Sequence, residues 1–203
     1  MLEFAKVSKS FWTGNSHKVI LHDASFRIEL GHSVGILAPN GSGKTTIINM
    51  IAGLEKPDSG KIIRNCRVSF PLDAIRDIDP RLSASQHARY IAVLYQRDPL
   101  EVEAFCCWMS DIGEYYELPI GIYSEGMIAR FVISLMLALD FDLYLIDEGI
   151  PITLDHKFNQ KCEEIFYEKL SRATALVVSH QIETLQRYCT SAAVLAEGKL
   201  HFL

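Results

Sequence analysis

The first third of the chain alternates apolar and polar residues with the two-residue period of β-strands. Residues 2–7 and 19–30 follow this pattern, and the second run is broken near its middle. Successive side chains point to opposite faces of a strand, so the pattern predicts strands with one buried face. The polar segment between the two runs contains Phe11 and Trp12 and is predicted to be a loop.

A short apolar run at residues 33–37 predicts a strand that leads into a glycine-rich turn and then a helix over residues 45–54. A strong turn signal follows at residues 57–60. Beyond it, residues 61–64 and 67–70 are predicted to be short strands. Strands therefore dominate this part of the chain.

The pattern then changes to the 3.6-residue period of helices. Helices are predicted over residues 82–95, 99–112 and 127–139. Strand character returns at residues 142–147 and 175–178, with a helix over residues 157–171 between them, which is the order of a parallel β-α-β unit. Residues 192–196 and 199–203 predict a closing hairpin.

Length and composition are those of an ordinary globular protein. The chain has 203 residues, of which 49% are hydrophobic and 22% charged, so one domain with an inserted subdomain is expected. The formal net charge of -5 disfavours binding to nucleic acid, whose phosphates attract basic surfaces. The five cysteines include no C-x-x-C pair and are predicted to be thiols in a reducing compartment.

The sequence shows no signal for export or membrane insertion. No run of residues reaches the ~20 apolar positions that span a bilayer, and the start of the chain lacks the build of a secretory signal. We therefore expect a cytoplasmic protein that meets a membrane only through a partner.

Residues 34–50, VGILAPNGSGKTTIINM, carry the strongest chemical signal. They match the phosphate-binding pattern G-x-x-x-x-G-K-[ST], except that Ala38 replaces the first glycine, where only a negative φ is needed. Backbone N–H groups at the start of the following helix would surround a phosphate. Lys44 would add a positive charge for the β- and γ-phosphates, and the Thr45 hydroxyl would be a Mg²⁺ ligand. The predicted nucleotide-binding residues of this loop are Pro39, Asn40, Gly41, Ser42, Gly43, Lys44, Thr45 and Thr46.

Further candidate residues lie at the ends of predicted strands. The apolar run LYLI precedes Asp147 and Glu148, at the strand end where α/β sheets bind their ligands. Asp147 would hold Mg²⁺, directly or through water, and Glu148 would orient and deprotonate the attacking water. His180 would donate a hydrogen bond to the γ-phosphate. Phe11 is the candidate for stacking on adenine, with Trp12 in reserve, although the anchor of a surface loop is nearly as good an interpretation of either aromatic residue.

The segment YSEGM at residues 123–127, followed by a long apolar helix, resembles the signature motif of ABC-transporter ATPases, LSGGQ in its common form. The order of phosphate loop, helical insertion, signature, Asp-Glu strand and strand-His also resembles that family over essentially the whole chain. Several segments are similar to the ATPases of capsular-polysaccharide exporters: SVGILAPNGSGKTTIINMIAGLEKPDSG, VSFPLD, FDLYLIDE and YCTSAAVL.

The resemblance implies a P-loop NTPase of the α/β class. Its core would be a mostly parallel sheet, with an antiparallel β subdomain and an inserted α-helical subdomain. A single ABC ATP-binding domain would span residues 1–203, with the nucleotide-binding core in residues 1–72 and 140–203 and the helical subdomain in residues 73–139.

The resemblance also implies how such a chain works. Two copies would form a head-to-tail homodimer, with Ser124 and the Gly126 amide of one copy facing ATP on the phosphate loop of the other. ATP and Mg²⁺ are the implied cofactors. Hydrolysis would drive a polytopic membrane permease, docked near residues 71–75, that exports capsular or other cell-surface polysaccharide. The chain would sit at the cytoplasmic face of the bacterial inner membrane.

Departures from the family pattern leave other interpretations open. Glu125 occupies a signature position where glycine or serine is usual, and its carboxylate would repel phosphate unless it points to solvent. Leu72 stands where a glutamine is usual, although the exporter branch shares its Pro-Leu. Asp155 is the candidate acid that touches the partner subunit. With Ala38, these changes leave open a slow or regulatory ATP-binding protein, or an ATPase for another substrate. The acidic balance and the single set of motifs disfavour an ABC protein of nucleic-acid or translation processes.

Overall fold

The computed structural model describes residues 1–14, 16–71, 78–148 and 155–203. They form two compact units. The described parts of residues 1–71, 141–148 and 172–203 make up the first unit, and those of residues 78–140 and 155–171 make up the second.

The first unit contains a three-stranded antiparallel sheet. Its strands are β1 (Leu2–Thr13), β2 (Ser16–Ile28) and β4 (Ser59–Arg64), in the order β2-β1-β4. Phe11 lies within β1, opposite Lys18 of β2, so the prediction of a loop around Phe11 and Trp12 was wrong. The first four residues of β2 are exposed, because this end of the hairpin extends beyond the core. No buried face imposes alternation there, which is why the pattern missed it.

The second sheet of this unit has five strands. They are β3 (Val34–Leu37), β5 (Leu143–Asp147), β6 (Thr174–Ser179), β7 (Ser191–Ala196) and β8 (Lys199–Phe202). Their order is β5-β6-β3-β7-β8, and only the β7–β8 pair is antiparallel. The predicted α/β class, with a mostly parallel core sheet and an antiparallel β subdomain, is confirmed. Every residue of β6 is buried, as expected for an inner strand of a covered parallel sheet.

The predicted strand at residues 67–70 is reduced to one bridge, between Val68 and Leu143. The N–H of Ser69 donates to the carbonyl oxygen of Leu143 at 2.9 Å. Further along β5, the N–H of Leu145 donates to a side-chain oxygen, Ser69 Oγ, at 2.9 Å. A hydroxyl thus replaces the backbone acceptor, and the ladder ends there.

Two helices complete the first unit. α1 (Lys44–Ala52) follows β3 after the glycine-rich turn, and α6 (Ile182–Tyr188) lies between β6 and β7. The sequence did not predict α6, which has seven residues and is too short to display a helical period. Ile47 and Ile51 of α1 are fully buried in a core shared with both sheets. This core fixes the start of α1 beside the end of β3.

The second unit is helical. Its helices are α2 (Ala84–Leu94), α3 (Pro99–Ser110), α4 (Glu125–Ala138) and α5 (His156–Leu170), with 3-10 turns at Gly113–Glu117 and Ile120–Ile122. Ser83 and Gln86 form a capping box on α2, and the Asp98 side chain caps α3. The helices predicted from periodicity are confirmed. The unit also includes α5, which the sequence analysis placed in the nucleotide-binding core.

No helix in the described ranges is both long and apolar enough to cross a membrane.

Candidate functional site

The phosphate loop, residues 38–46, connects β3 to the first turn of α1. Gly43 caps α1 with a φ of 103°, and a Cβ atom there would lie 2.5 Å from Cγ2 of Ile20. Only glycine fits this position, because both the backbone conformation and the approach of β2 exclude a side chain. Ala38 is fully buried and is not among the described non-glycine residues with a positive φ, as expected. The loop therefore closes without its first glycine.

Lys44 is a buried charge at the centre of the site, with 8% of its surface exposed. Its Nζ donates to Asn40 Oδ1 at 2.9 Å and to the carbonyl oxygen of Ala38 at 3.4 Å, and lies 2.5 Å from Glu148 Oε1. A buried ammonium needs such acceptors, because losing water without them is costly. All three contacts are made by oxygen atoms, and phosphate oxygens could replace them.

Glu148 follows β5 in the left-handed region, with a φ of 62°. Its Oε2 accepts hydrogen bonds from Ser179 Oγ at 3.0 Å, from the His180 N–H at 3.3 Å and from the His180 ring at 2.6 Å. Burial acts to raise the pKa of this carboxyl, but the hydrogen bonds from Lys44, His180 and Ser179 outweigh it and lower the pKa to about 2. Glu148 is thus a firmly ionised acceptor in this arrangement and a weak base.

The contact with Glu148 also determines which nitrogen of His180 carries a proton. Since an ionised carboxylate can only accept, Nδ1 of His180 must be the donor. A neutral ring would then present Nε2 as an acceptor. The predicted donation from His180 to a γ-phosphate requires either a charged ring or release of Nδ1 from Glu148.

Thr45 and Asp147 meet at the expected place for a magnesium ion. The Thr45 hydroxyl donates to Asp147 Oδ2 at 3.2 Å. A hydroxyl and a carboxylate are both oxygen ligands, which Mg²⁺ prefers, and Mg²⁺ is usually completed by phosphate oxygens and water. The residues present therefore fit this ion beside a bound phosphate.

Space for a ligand opens next to the loop. A cleft of about 560 Å³ is lined by Pro39, Ser42 and His180 together with Lys18 and Val19 of β2. Its volume is within the range of small-molecule sites. The Ser42 hydroxyl is buried and makes no hydrogen bond within the described part of the chain, so it is available to a phosphate oxygen.

Phe11 is 38% exposed and Trp12 is 74% exposed. Phe11 pairs with Lys18, which lines the cleft, and Ile20, two residues further along β2, contacts Gly43 of the loop. β2 therefore brings the Phe11 ring to the neighbourhood of the phosphate loop. Stacking of Phe11 on adenine stays a prediction.

Ser124 and Gly126 belong to the helical unit. Ser124 caps α4, its Oγ accepting from the N–H of Met127 at 3.3 Å, and Gly126 is the second residue of the helix. The helix start therefore presents N–H groups and a hydroxyl, as the signature requires. Glu125 is exposed, so its carboxylate can point to solvent, where it would not repel a phosphate. Contact of Ser124 and Gly126 with nucleotide stays a prediction.

Asp155, the candidate for contact with a partner subunit, caps α5 of its own chain, and the partner contact stays a prediction. Asp155 accepts from the N–H groups of Lys157 and Phe158, capping α5, and from Arg130 Nη1 at 3.1 Å. Its side chain is thus engaged within the chain. Leu72 and most of the proposed permease-docking segment, residues 71–75, lie outside the described residues.

Sequence reasoning gave no role to Ser179. Its hydroxyl donates to Glu148, its carbonyl oxygen accepts from the Ala38 N–H at 2.9 Å, and its Oγ accepts from the Gln181 N–H at 3.1 Å. Ser179 therefore links the phosphate loop to the acid. The available signal was its place at a strand end directly before His180.

Comparison with known families identifies the class of protein that this fold and site define. Residues 21–150 match the family model described as ABC transporter. The chain belongs to the ABC transporter family, as its motifs indicated.

Individual relatives narrow this class. The capsule polysaccharide export ATP-binding protein CtrD of Neisseria meningitidis serogroup B is 37% identical over 99% of this chain and 93% of its own length. The ATP-binding protein BexA of Haemophilus influenzae is 36% identical, with 99% and 92% coverage. The polysialic acid transport ATP-binding protein KpsT of Escherichia coli is 33% identical, with 96% and 87% coverage.

Solved structures agree on the fold. A dimeric ATP-binding cassette, MJ0796, in a post-hydrolysis state bound to ADP and Pi, superposes with a TM-score of 0.79. It is 22% identical, and the match covers 98% of this chain and 96% of that chain.

The contacts of Glu148 predict a pH dependence of stability. A carboxyl whose pKa falls on folding, here from 4.5 to about 2, stabilises the folded state above its unfolded pKa and loses that contribution as pH falls. We expect the gap in unfolding free energy between the wild type and Glu148→Gln to shrink as pH is lowered from about 6 to about 3.5 in urea titrations. Glu164→Gln, at an exposed position of α5, is the control. A gap for Glu148→Gln that stays constant with pH would contradict the assignment.

Proposed function

We propose that this chain is the ATP-hydrolysing subunit of an ABC transporter that exports capsular or other cell-surface polysaccharide across the bacterial inner membrane. The observation that carries the proposal is the convergence of Lys44, Glu148 and His180 beside the phosphate loop. The substrate class is supported by the names of the relatives, which cover nearly the whole chain. The polysaccharide would contact the permease, and this chain would supply the energy.

Nucleotide binding rearranges the partners of Lys44. The triphosphate takes the ammonium away from Glu148 and Asn40, because two or three phosphate charges outweigh one carboxylate. Ser42 and the N–H groups at the start of α1 hold the β-phosphate. A Mg²⁺ ion, held by Thr45 and Asp147, would supply charge neutralisation of the phosphates.

Release from Lys44 changes the chemistry of Glu148. Losing a cationic partner raises the pKa of its carboxyl, so it becomes a better base for the attacking water. Ser179 keeps Glu148 oriented through its hydroxyl. For His180 to donate to the γ-phosphate, its ring must either be charged or release Nδ1 from Glu148. The Glu148 carboxylate is therefore a weak base before nucleotide binds and a stronger base once nucleotide is bound.

The second half of the site comes from a second copy of the chain. The start of α4, with Ser124 and Gly126, closes over the γ-phosphate held by the partner copy, and loss of that phosphate opens the dimer. Opening and closing drive a polytopic permease, through which alone the chain meets the membrane at its cytoplasmic face. No nucleic acid takes part.

Hydrolysis provides the first test. With Mg²⁺ and ATP, the purified chain is expected to release phosphate, and Glu148→Gln is expected to lower the rate by about 10²-fold or more, since it removes the base while keeping the shape of the side chain. Glu164→Gln is the matched control and retains the parental rate. A parent that binds ATP without turnover, alone or with its permease, would favour a regulatory nucleotide-binding protein instead.

Dimerisation provides the second test, on the role of Ser124. Glu148→Gln is expected to form a dimer when Mg²⁺-ATP is added, as judged by light scattering after size-exclusion chromatography. Adding Ser124→Arg should abolish the dimer while leaving the calorimetric affinity of the monomer for ATP within about twofold, because the signature serves the partner's nucleotide. A dimer that persists, or a monomer that loses affinity for ATP, would show that Ser124 does not act across the interface.

A further inference from the structure

Lys9 of β1 is a buried cation away from the phosphate loop, with 7% of its surface exposed. Its Nζ contacts Glu55 Oε1 at 2.5 Å, the carbonyl oxygen of Lys56 at 2.9 Å and Asp58 Oδ1 at 3.2 Å. These partners lie in the segment between α1 and β4. The ammonium is therefore held by three oxygen atoms and is not available to a phosphate.

A further neighbour of Lys9 is the Phe11 ring. Lys9 Nζ lies 4.8 Å from the ring centroid, which is within the range of cation–π attraction. Phe11 is 38% exposed, so part of the ring is free. Lys9 therefore supports the aromatic ring that is the candidate for stacking on adenine.

The strand itself is also attached to the same segment. Asp58 Oδ2 accepts from the backbone N–H of Ser10 at 2.7 Å and from its hydroxyl at 3.2 Å. The Asp58 N–H donates to the carbonyl oxygen of Ser8 at 2.9 Å. The backbone on both sides of Lys9 is thus tied down just before the hairpin leaves the core.

We infer that Lys9, fixed by Glu55 and Asp58, is a positioning residue that holds the Phe11 ring ready for the base of the nucleotide. This inference rests on the proposed function, in which Phe11 stacks on adenine. An aromatic ring at the end of an exposed hairpin would otherwise lose rotational freedom on binding, which weakens affinity. A cation on one face of the ring restricts this freedom and leaves the other face for the base.

The charge state of Lys9 suits this role. The hydrogen bond with Glu55 raises the pKa of Lys9 and outweighs the opposite effect of burial, with Asp58 adding to the increase. Lys9 thus stays charged throughout the pH range in which proteins bind nucleotides. The two carboxylates prevent the buried charge from being left without compensation.

The experiment compares ATP with inorganic tripolyphosphate, which has the same phosphate chain but no base. Calorimetry with equal Mg²⁺ gives the affinity of each ligand for the wild type, Phe11→Ala, Lys9→Met, Lys9→Arg and Glu55→Gln. Because tripolyphosphate also lacks the ribose, the ratio of the two affinities reports the contribution of the whole nucleoside, and the change of this ratio in Phe11→Ala reports stacking of the base. A fault in folding or in the phosphate loop would lower both affinities and leave the ratio unchanged.

We expect Phe11→Ala to lower the affinity for ATP about tenfold, since stacking of one base on an aromatic ring has that order of effect. Lys9→Met should lower it about fivefold, and Lys9→Arg should restore it to within about twofold because the cation is retained. Glu55→Gln keeps the charge of Lys9 but removes its ion pair with Glu55, so it should lower the affinity for ATP by a smaller factor than Lys9→Met. None of these changes should alter tripolyphosphate binding.

The possible failures are distinguishable. A wild type that binds neither ligand would overturn the proposed function itself. Phe11→Ala that leaves ATP binding intact would remove the stacking role, and with it the inference, while the phosphate site stands. A Lys9→Met variant with an unchanged ratio of affinities, or one in which tripolyphosphate binding falls equally, would overturn the inference alone. If Lys9→Met fails to fold, the ratio of ATP affinity to tripolyphosphate affinity for Glu55→Gln is decisive. A ratio equal to that of the wild type would overturn the inference.

Discussion

The ion pair between Lys44 and Glu148 is the interaction on which the rest of the site depends. Lys44 begins α1, which follows β3, and Glu148 follows β5. In the sheet β6 lies between β3 and β5, all three strands being parallel, so both residues lie at the same edge of the sheet. The buried ammonium of Lys44 needs a partner of opposite charge, because it is not stable alone in a medium of low polarity. Glu148, whose side chain is 36% exposed, supplies that partner. The fold thus brings together the lysine proposed to bind phosphate and the glutamate proposed to activate water.

The charge of Lys44 links ATP binding to the basicity of Glu148 in the proposed reaction. Hydrogen bonds from Lys44, His180 and Ser179 lower the pKa of Glu148 to about 2, which makes its carboxylate a weak base. In the proposed reaction, the phosphates of ATP compete with Glu148 for Lys44, so we expect the base to be released when ATP binds. Ser179 Oγ donates to Glu148 Oε2, a contact that does not involve Lys44. Activation of the proposed base would thus be coupled to binding of its substrate.

Most of the fold and the main members of the site could be predicted from the sequence, because their signals are local. The loop around Lys44 has a spacing that phosphate binding imposes, and buried strands such as β5 show in continuous apolar runs. The contacts of Ser179 with Glu148 and of Lys9 with Glu55 and Asp58 could not be predicted. They join residues that are far apart in the sequence, and they depend on which elements become neighbours in the fold and in which register.

The separation between Lys44 Nζ and the Glu148 carboxylate in a crystal structure with Mg²⁺ and a non-hydrolysable ATP analogue tests this account most directly. In the structure described above, Lys44 Nζ and Glu148 Oε1 are 2.5 Å apart. The account predicts that the ammonium moves to the β- and γ-phosphates, out of hydrogen-bonding range of a carboxylate that faces a water molecule instead. A bound analogue with Lys44 still paired to Glu148 would contradict it.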